Sequence, residues 1–166
     1  MRAFLITALV FASFPAFAHV TLVAGDAAPG ALYDAQFRVG HGCSGSPTTG
    51  LRIEIPAAIV SVDPLAVPGW TIASEKDGSG RVSAVRYAGG SLAAGQPGLF
   101  TLRLRLPKAS GPLAFAVHQT CAEGAEDWTG AAGSAHPAPV LTVGEKTKPE
   151  SAMGGMEMKS MPGMQP

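Results

Sequence analysis

The residue with the most distinctive chemistry in this chain is His19, because of what precedes it. Residues 1–18 carry Arg2, an apolar run from Ala3 to Phe14 and the small-residue ending Ala16-Phe17-Ala18. This is the pattern of a secretory signal peptide, and its cleavage after Ala18 leaves His19 first in an exported, periplasmic chain. A histidine in first position offers its α-amine and its imidazole Nδ1 to the same metal, two nitrogens from one residue. The amine titrates at about 7.7–8.0, low enough for a metal to displace its proton at neutral pH. Amine and imidazole nitrogens in a tetragonal arrangement suit Cu(II), which also heads the divalent affinity series.

The other end of the chain offers sulfur. Five of the six methionines, Met153, Met156, Met158, Met161 and Met164, fall in the last residues, and the sixth is Met1. Thioethers are soft ligands that favour Cu(I), and the Met-x-Met and Met-x-x-Met spacings allow two or three of them to converge on one ion. The competing reading is a solubilising low-complexity tail, for which oxidation-prone methionine is a poor choice. From Gly144 the composition turns to Lys, Pro, Glu, Ser, Gly and Met. Such a segment buries too little apolar surface to offset the entropy of ordering it, so residues 144–166 read as a disordered tail.

Other reactive residues have plainer readings. In an oxidising compartment Cys43 and Cys121 read as a structural disulfide, closing a loop of roughly 80 residues for a stabilisation on the order of 4 kcal/mol. A two-thiolate metal site matches no ligand spacing here. His41 in a glycine-rich loop and His136 beside Pro137 read as solvated, and His118 alternates with the core-facing Leu113, Phe115 and Val117 and so points away from the core. Trp70, after Pro68-Gly69, reads as a packing residue. Ser44 lacks the G-x-S-x-G order of a nucleophile elbow, and no hydrolase is indicated.

The elements that must position these residues are short strands. Leu32–Val39 sets Tyr33, Ala35, Phe37 and Val39 on one parity, Leu51–Ile55 alternates Leu51, Ile53 and Ile55 with polar residues, and Thr101–Leu106 does the same with its leucines. Leu113–Gln119 reads as one further strand, and Thr71–Ser74 and Arg81–Tyr87 flank Asp77-Gly78, a dipeptide suited to a hairpin turn. No window shows sustained helical period. Short strands broken by Gly and Pro predict an all-β fold, an immunoglobulin-like antiparallel β-sandwich, over residues 19–143. The 148 residues left after cleavage suit one domain with one core. Twelve basic residues balance twelve acidic ones without a basic cluster, which argues against nucleic acid and anionic lipid as partners. The apolar run before Phe14 falls short of the about 20 residues of a membrane span, so no span is expected in the mature chain.

Taken together, His19-Val20-Thr21-Leu22, Pro47–Thr49 leading into Leu51–Pro56, Pro68-Gly69-Trp70, and Gln119-Thr120 through Trp128-Thr129-Gly130 resemble the YcnI-like (DUF1775) copper-binding domain over His19 to Val143. His41-Gly42-Cys43 with Cys121 is similar to its cysteine-containing proteobacterial branch. The resemblance implies a sandwich holding Cu(II) through an N-terminal histidine, a carboxylate and a neighbouring tryptophan. His19 matches the first role and Trp128 the last. The carboxylate position falls on Leu99, which cannot ligate, and Glu123, Glu126 and Asp127 are the carboxylates that could stand in for it. The expected function is copper storage, delivery or tolerance without catalytic turnover, with copper ions and periplasmic copper chaperones or membrane copper transporters as partners. The rivals are a copper-dependent monooxygenase or oxidase, which needs a second histidine beside the first, and a metal-free adhesion or assembly module.

Overall fold

The computed structural model describes residues 19–23, 25 and 27–144. The signal-peptide reading and the methionine ligands fall outside these residues. Among the described residues eleven strands follow one another: β1 (Val20–Leu22), β2 (Leu32–Val39), β3 (Thr48–Glu54), β4 (Ser61–Pro64), β5 (Thr71–Lys76), β6 (Val82–Leu92), β7 (Gly98–Arg105), β8 (Gly111–Ala114), β9 (Val117–Cys121), β10 (Ala125–Trp128) and β11 (Val140–Val143). They form a four-stranded sheet in the order β1-β2-β7-β4, a five-stranded sheet in the order β10-β9-β3-β6-β5, and the pair β11-β8. Every strand pairing is antiparallel. Among the described residues there is no helix long and apolar enough to cross a membrane.

The alternation read in the sequence is what closes the sandwich. Ala35, Phe37 and Val39 of β2 and Phe100, Leu102 and Leu104 of β7 are buried on one side, and Leu51, Ile53, Val85, Tyr87 and Val117 bury from the other. Aromatic rings lock the layers across the gap: Tyr87 meets Phe100 edge-on at 5.0 Å between centroids, and Phe37 meets Phe115 at 5.3 Å. Trp70 closes the same cluster against Phe100 at 5.0 Å.

Two local readings need correction. Leu113–Gln119 is not one strand: the chain leaves the β8–β11 pair at Ala114, buries Phe115, and enters the five-stranded sheet at Val117. Continuous alternation of apolar residues cannot reveal such a change of sheet, because both segments share a parity. The β5–β6 hairpin forms, but the residue with positive φ is Gly80 (83°), not Gly78. The Asp77 carboxylate accepts from the Ser79 and Arg81 amides at 3.0 and 3.2 Å, so the loop is longer than a two-residue turn.

Tyr87 carries a pH signature. Its ring is fully buried, its hydroxyl donates to the Thr101 carbonyl at 3.1 Å, and burial pushes the phenol up to about 12. The folded protein therefore holds this proton more tightly than the unfolded chain, whose tyrosines titrate at about 10. The resulting stability is fully present below about pH 10 and is lost as pH rises through about 12. Tyr87→Phe is expected to flatten the fall in unfolding free energy over that window by about 2 kcal/mol, measured by denaturant titration at stepped pH.

Candidate metal centre

β1 lies antiparallel to β2 with Val20 opposite Val39, which sets His19 at the strand's start beside Gly40. The His19 nitrogen lies 4.0 Å from where a Cβ on Gly40 would stand. The imidazole of His19 reaches over to the opposite sheet and rests on the indole of Trp128, with centroids 5.7 Å apart and planes tilted by 47°. Trp128 is the last residue of β10 and only 2% exposed. His19 and Trp128, matched by the resemblance to the histidine and tryptophan of a copper site, are thus neighbours in space, although more than a hundred positions separate them.

Trp128 is held from behind by a residue to which the sequence analysis gave no role. Gln119, 1% exposed on β9, accepts from the indole Nε1–H at 3.0 Å and donates through Nε2 to the Thr48 hydroxyl at 2.7 Å and the His41 carbonyl at 2.9 Å. One amide thereby joins the indole, the bulged start of β3 and the loop that follows Gly40. The detectable signal was parity, since Gln119 alternates with Val117 and Cys121 as a core position would. The disulfide Cys43–Cys121, with Cα atoms 5.9 Å apart, staples the same loop to the next inward residue of β9, and the Cys43 amide donates to Cys121 Sγ at 2.9 Å. Gly42 beside it must be glycine, because a Cβ there would collide with the Ser46 carbonyl. Gln119→Leu strands the indole N–H and the Thr48 hydroxyl in a dry interior. It is expected to lower stability by about 2–4 kcal/mol in denaturant titration and to shift the Trp128 emission.

The candidate carboxylates separate cleanly. Asp127 faces outward, where His118 Nδ1 lies 2.6 Å from Asp127 Oδ1 and His118 Nε2 lies 3.3 Å from Glu54 Oε1. Arg52 bridges Glu54 and Glu75 on the same outer surface and holds the Glu54 carboxyl below its usual range. Glu123 sits in the exposed β9–β10 turn, its amide bonded to the Ser46 hydroxyl at 2.8 Å. Leu99 is 50% exposed on β7 opposite Arg38 and supplies no ligand. Glu126 shares the face of Trp128, two residues along β10, and its carboxylate lies 3.3 Å from His136 Nδ1.

His136 is exposed, as its solvated reading expects, but it is not without neighbours. Its ring packs on Trp128 with centroids 4.9 Å apart, on an indole that also carries His19. His41 turns its Nδ1 onto the Gly42 carbonyl at 2.6 Å. Among the described residues no three His, Cys, Asp or Glu side chains are gathered into a ready-made cage. The donor this corner offers is the His19 imidazole, set beside a buried indole.

Fold and corner together define the class: an immunoglobulin-like β-sandwich whose first strand is immediately preceded by a histidine set against an indole. The chain belongs to the family described as Domain of unknown function (DUF1775), which matches residues 19–143. It is similar to an uncharacterized protein from Nocardia farcinica whose crystal structure reveals an immunoglobulin-like fold. The two are 28% identical with a TM-score of 0.65, and the match covers 75% of this chain and 97% of that one. No curated protein matches the chain.

Proposed function

We propose that this is an exported, periplasmic copper-binding protein, holding Cu(II) at the amine and imidazole of a processed His19 and Cu(I) at the methionine tail, for copper storage, delivery or tolerance without turnover. The observation that carries the reading is the contact between His19 and Trp128 at the start of β1. A processed His19 would hold its amine and imidazole against this buried aromatic wall, and such a nitrogen set suits Cu(II). The donor set needs only that the chain begin at His19. Copper chaperones or membrane copper transporters are the fitting partners for such a carrier.

The test is direct. Processed protein beginning at His19, purified without a tag, should bind one equivalent of Cu(II) and quench the emission of Trp128. Retention of no copper would leave a metal-free sandwich module. Oxidant-driven turnover by the copper-loaded protein would favour the oxidase rival instead. Truncation after Val143 should leave Cu(II) binding unchanged, reduce Cu(I) stoichiometry and slow loading from a Cu(I) donor, since a tether of roughly 10–20 residues gives an effective concentration in the millimolar range. Replacing Met153, Met156, Met158, Met161 and Met164 with leucine should reproduce the truncation. Equal Cu(I) stoichiometry in all three proteins, by chelator competition, would reduce the tail to a spacer.

A further inference from the structure

A processed His19 supplies two nitrogens, whereas tetragonal Cu(II) accepts four strong donors, and position 99 contributes none. The register of β9 with β10 decides which side chains could add to the set. Glu126 pairs with Gln119 and Trp128 with Val117, both buried partners, whereas Asp127 pairs with the outward His118. Glu126 and Trp128 therefore project from one face of β10, the face on which Trp128 meets His19, and Asp127 from the other.

What stands next to them is His136. Its main chain is fixed: Gly130 N–H donates to the His136 carbonyl and Ala138 N–H to the Gly130 carbonyl, each at 2.9 Å, and Gly130 bridges to Pro137. Gly130 has to be glycine for this closure, since a Cβ there would lie 2.9 Å from the His136 carbonyl and collide with the Ser134 side chain. The loop thus delivers the His136 ring onto Trp128, the indole already occupied by His19. Glu126 faces Nδ1 of that ring at 3.3 Å. A carboxylate at Nδ1 keeps the proton there and leaves the Nε2 lone pair free, the arrangement by which carboxylates orient metal-binding imidazoles.

We infer that His136 is a further ligand to copper at the His19 site, binding through Nε2, with Glu126 as the positioning residue at Nδ1. The inference rests on the His19 reading and assigns the donor missing at Leu99 to a second imidazole instead of a carboxylate. Both imidazoles rest on the same indole, and sharing one copper requires the His136 side chain to turn across it toward His19. His136 is itself exposed, so its side chain can turn while the main chain stays closed.

The test uses the full processed chain beginning at His19, with one equivalent of Cu(II), and compares native protein with His136→Ala, Glu126→Gln and His41→Ala. Pulsed electron paramagnetic resonance counts coordinated imidazoles, and chelator competition gives affinity. The native protein should show two imidazoles and His136→Ala one, with affinity reduced more than about tenfold. Glu126→Gln should retain both and weaken binding about tenfold, as expected when an orienting partner is lost. His41→Ala should change neither readout. An imidazole count untouched by His136→Ala, a second imidazole lost in His41→Ala, or a carboxylate ligand lost in Glu126→Gln would each overturn the assignment while leaving His19 in place. A native protein that takes up no Cu(II) would overturn the His19 reading, and this one with it.

Discussion

One alanine added ahead of His19 in the processed protein is expected to lower Cu(II) affinity by roughly three orders of magnitude, about 4 kcal/mol. The added peptide bond draws the nitrogen lone pair into resonance, so the amine ceases to be a donor and the chelate is lost at once. The side chain of His19 and its contact with Trp128 are untouched by the change. Apo-protein stability should therefore stay the same within error, which separates this effect from misfolding. Competition titration of native and extended proteins measures it, with His136→Ala as the comparison that should lose far less. Equal affinities would remove the N-terminal nitrogen from the site.

Why this corner was only half legible in the sequence follows from the physics of the residues involved. His19 declared itself through the apolar run and the Ala-x-Ala ending ahead of it, a local pattern. The core faces of β2, β3 and β7 were legible because period-2 alternation maps directly onto a pleated sheet with one dry side. Leu32–Val39 has the same limits in the sequence and in the structure. β1, β4, β10 and β11 were not read as strands, being only three or four residues each, too short for alternation to stand above composition. His136 was invisible as a partner of Trp128 because its position depends on the closure of residues 130–137 on themselves, a contact no period encodes. Asp127 and Glu126 were indistinguishable as ligands until the register of β10 on β9 put them on opposite faces. Such one-residue distinctions are set by pairing rather than by residue type.

Breaking the disulfide is expected to produce the largest loss of stability. Cys43→Ser or Cys121→Ser should cost about 2–5 kcal/mol, since the bridge spans 78 positions and restrains the unfolded chain accordingly. For a domain of this size that corresponds to a fall in Tm of roughly 10–20 °C, readable by calorimetry or thermal denaturation. Copper stoichiometry should survive below the new transition, because Gln119 still ties Trp128 to Thr48 and to the His41 carbonyl. Two free thiols trapped by alkylation of the denatured, oxidised protein would refute the bridge.

The strands at the margins of the two larger sheets have a consequence for self-association. β1 has three residues, β4 has four and ends at Pro64, β10 has four and includes Glu126 and Asp127, and β5 closes on Glu75 and Lys76. Exposed sheet margins invite a second molecule to add its own strand, and shortness, proline and charge are the features that discourage such addition. All four margins carry at least one of these features. The chain is thereby protected from fibril growth at the edges of these two sheets, through backbone groups that offer no long, flat, neutral template.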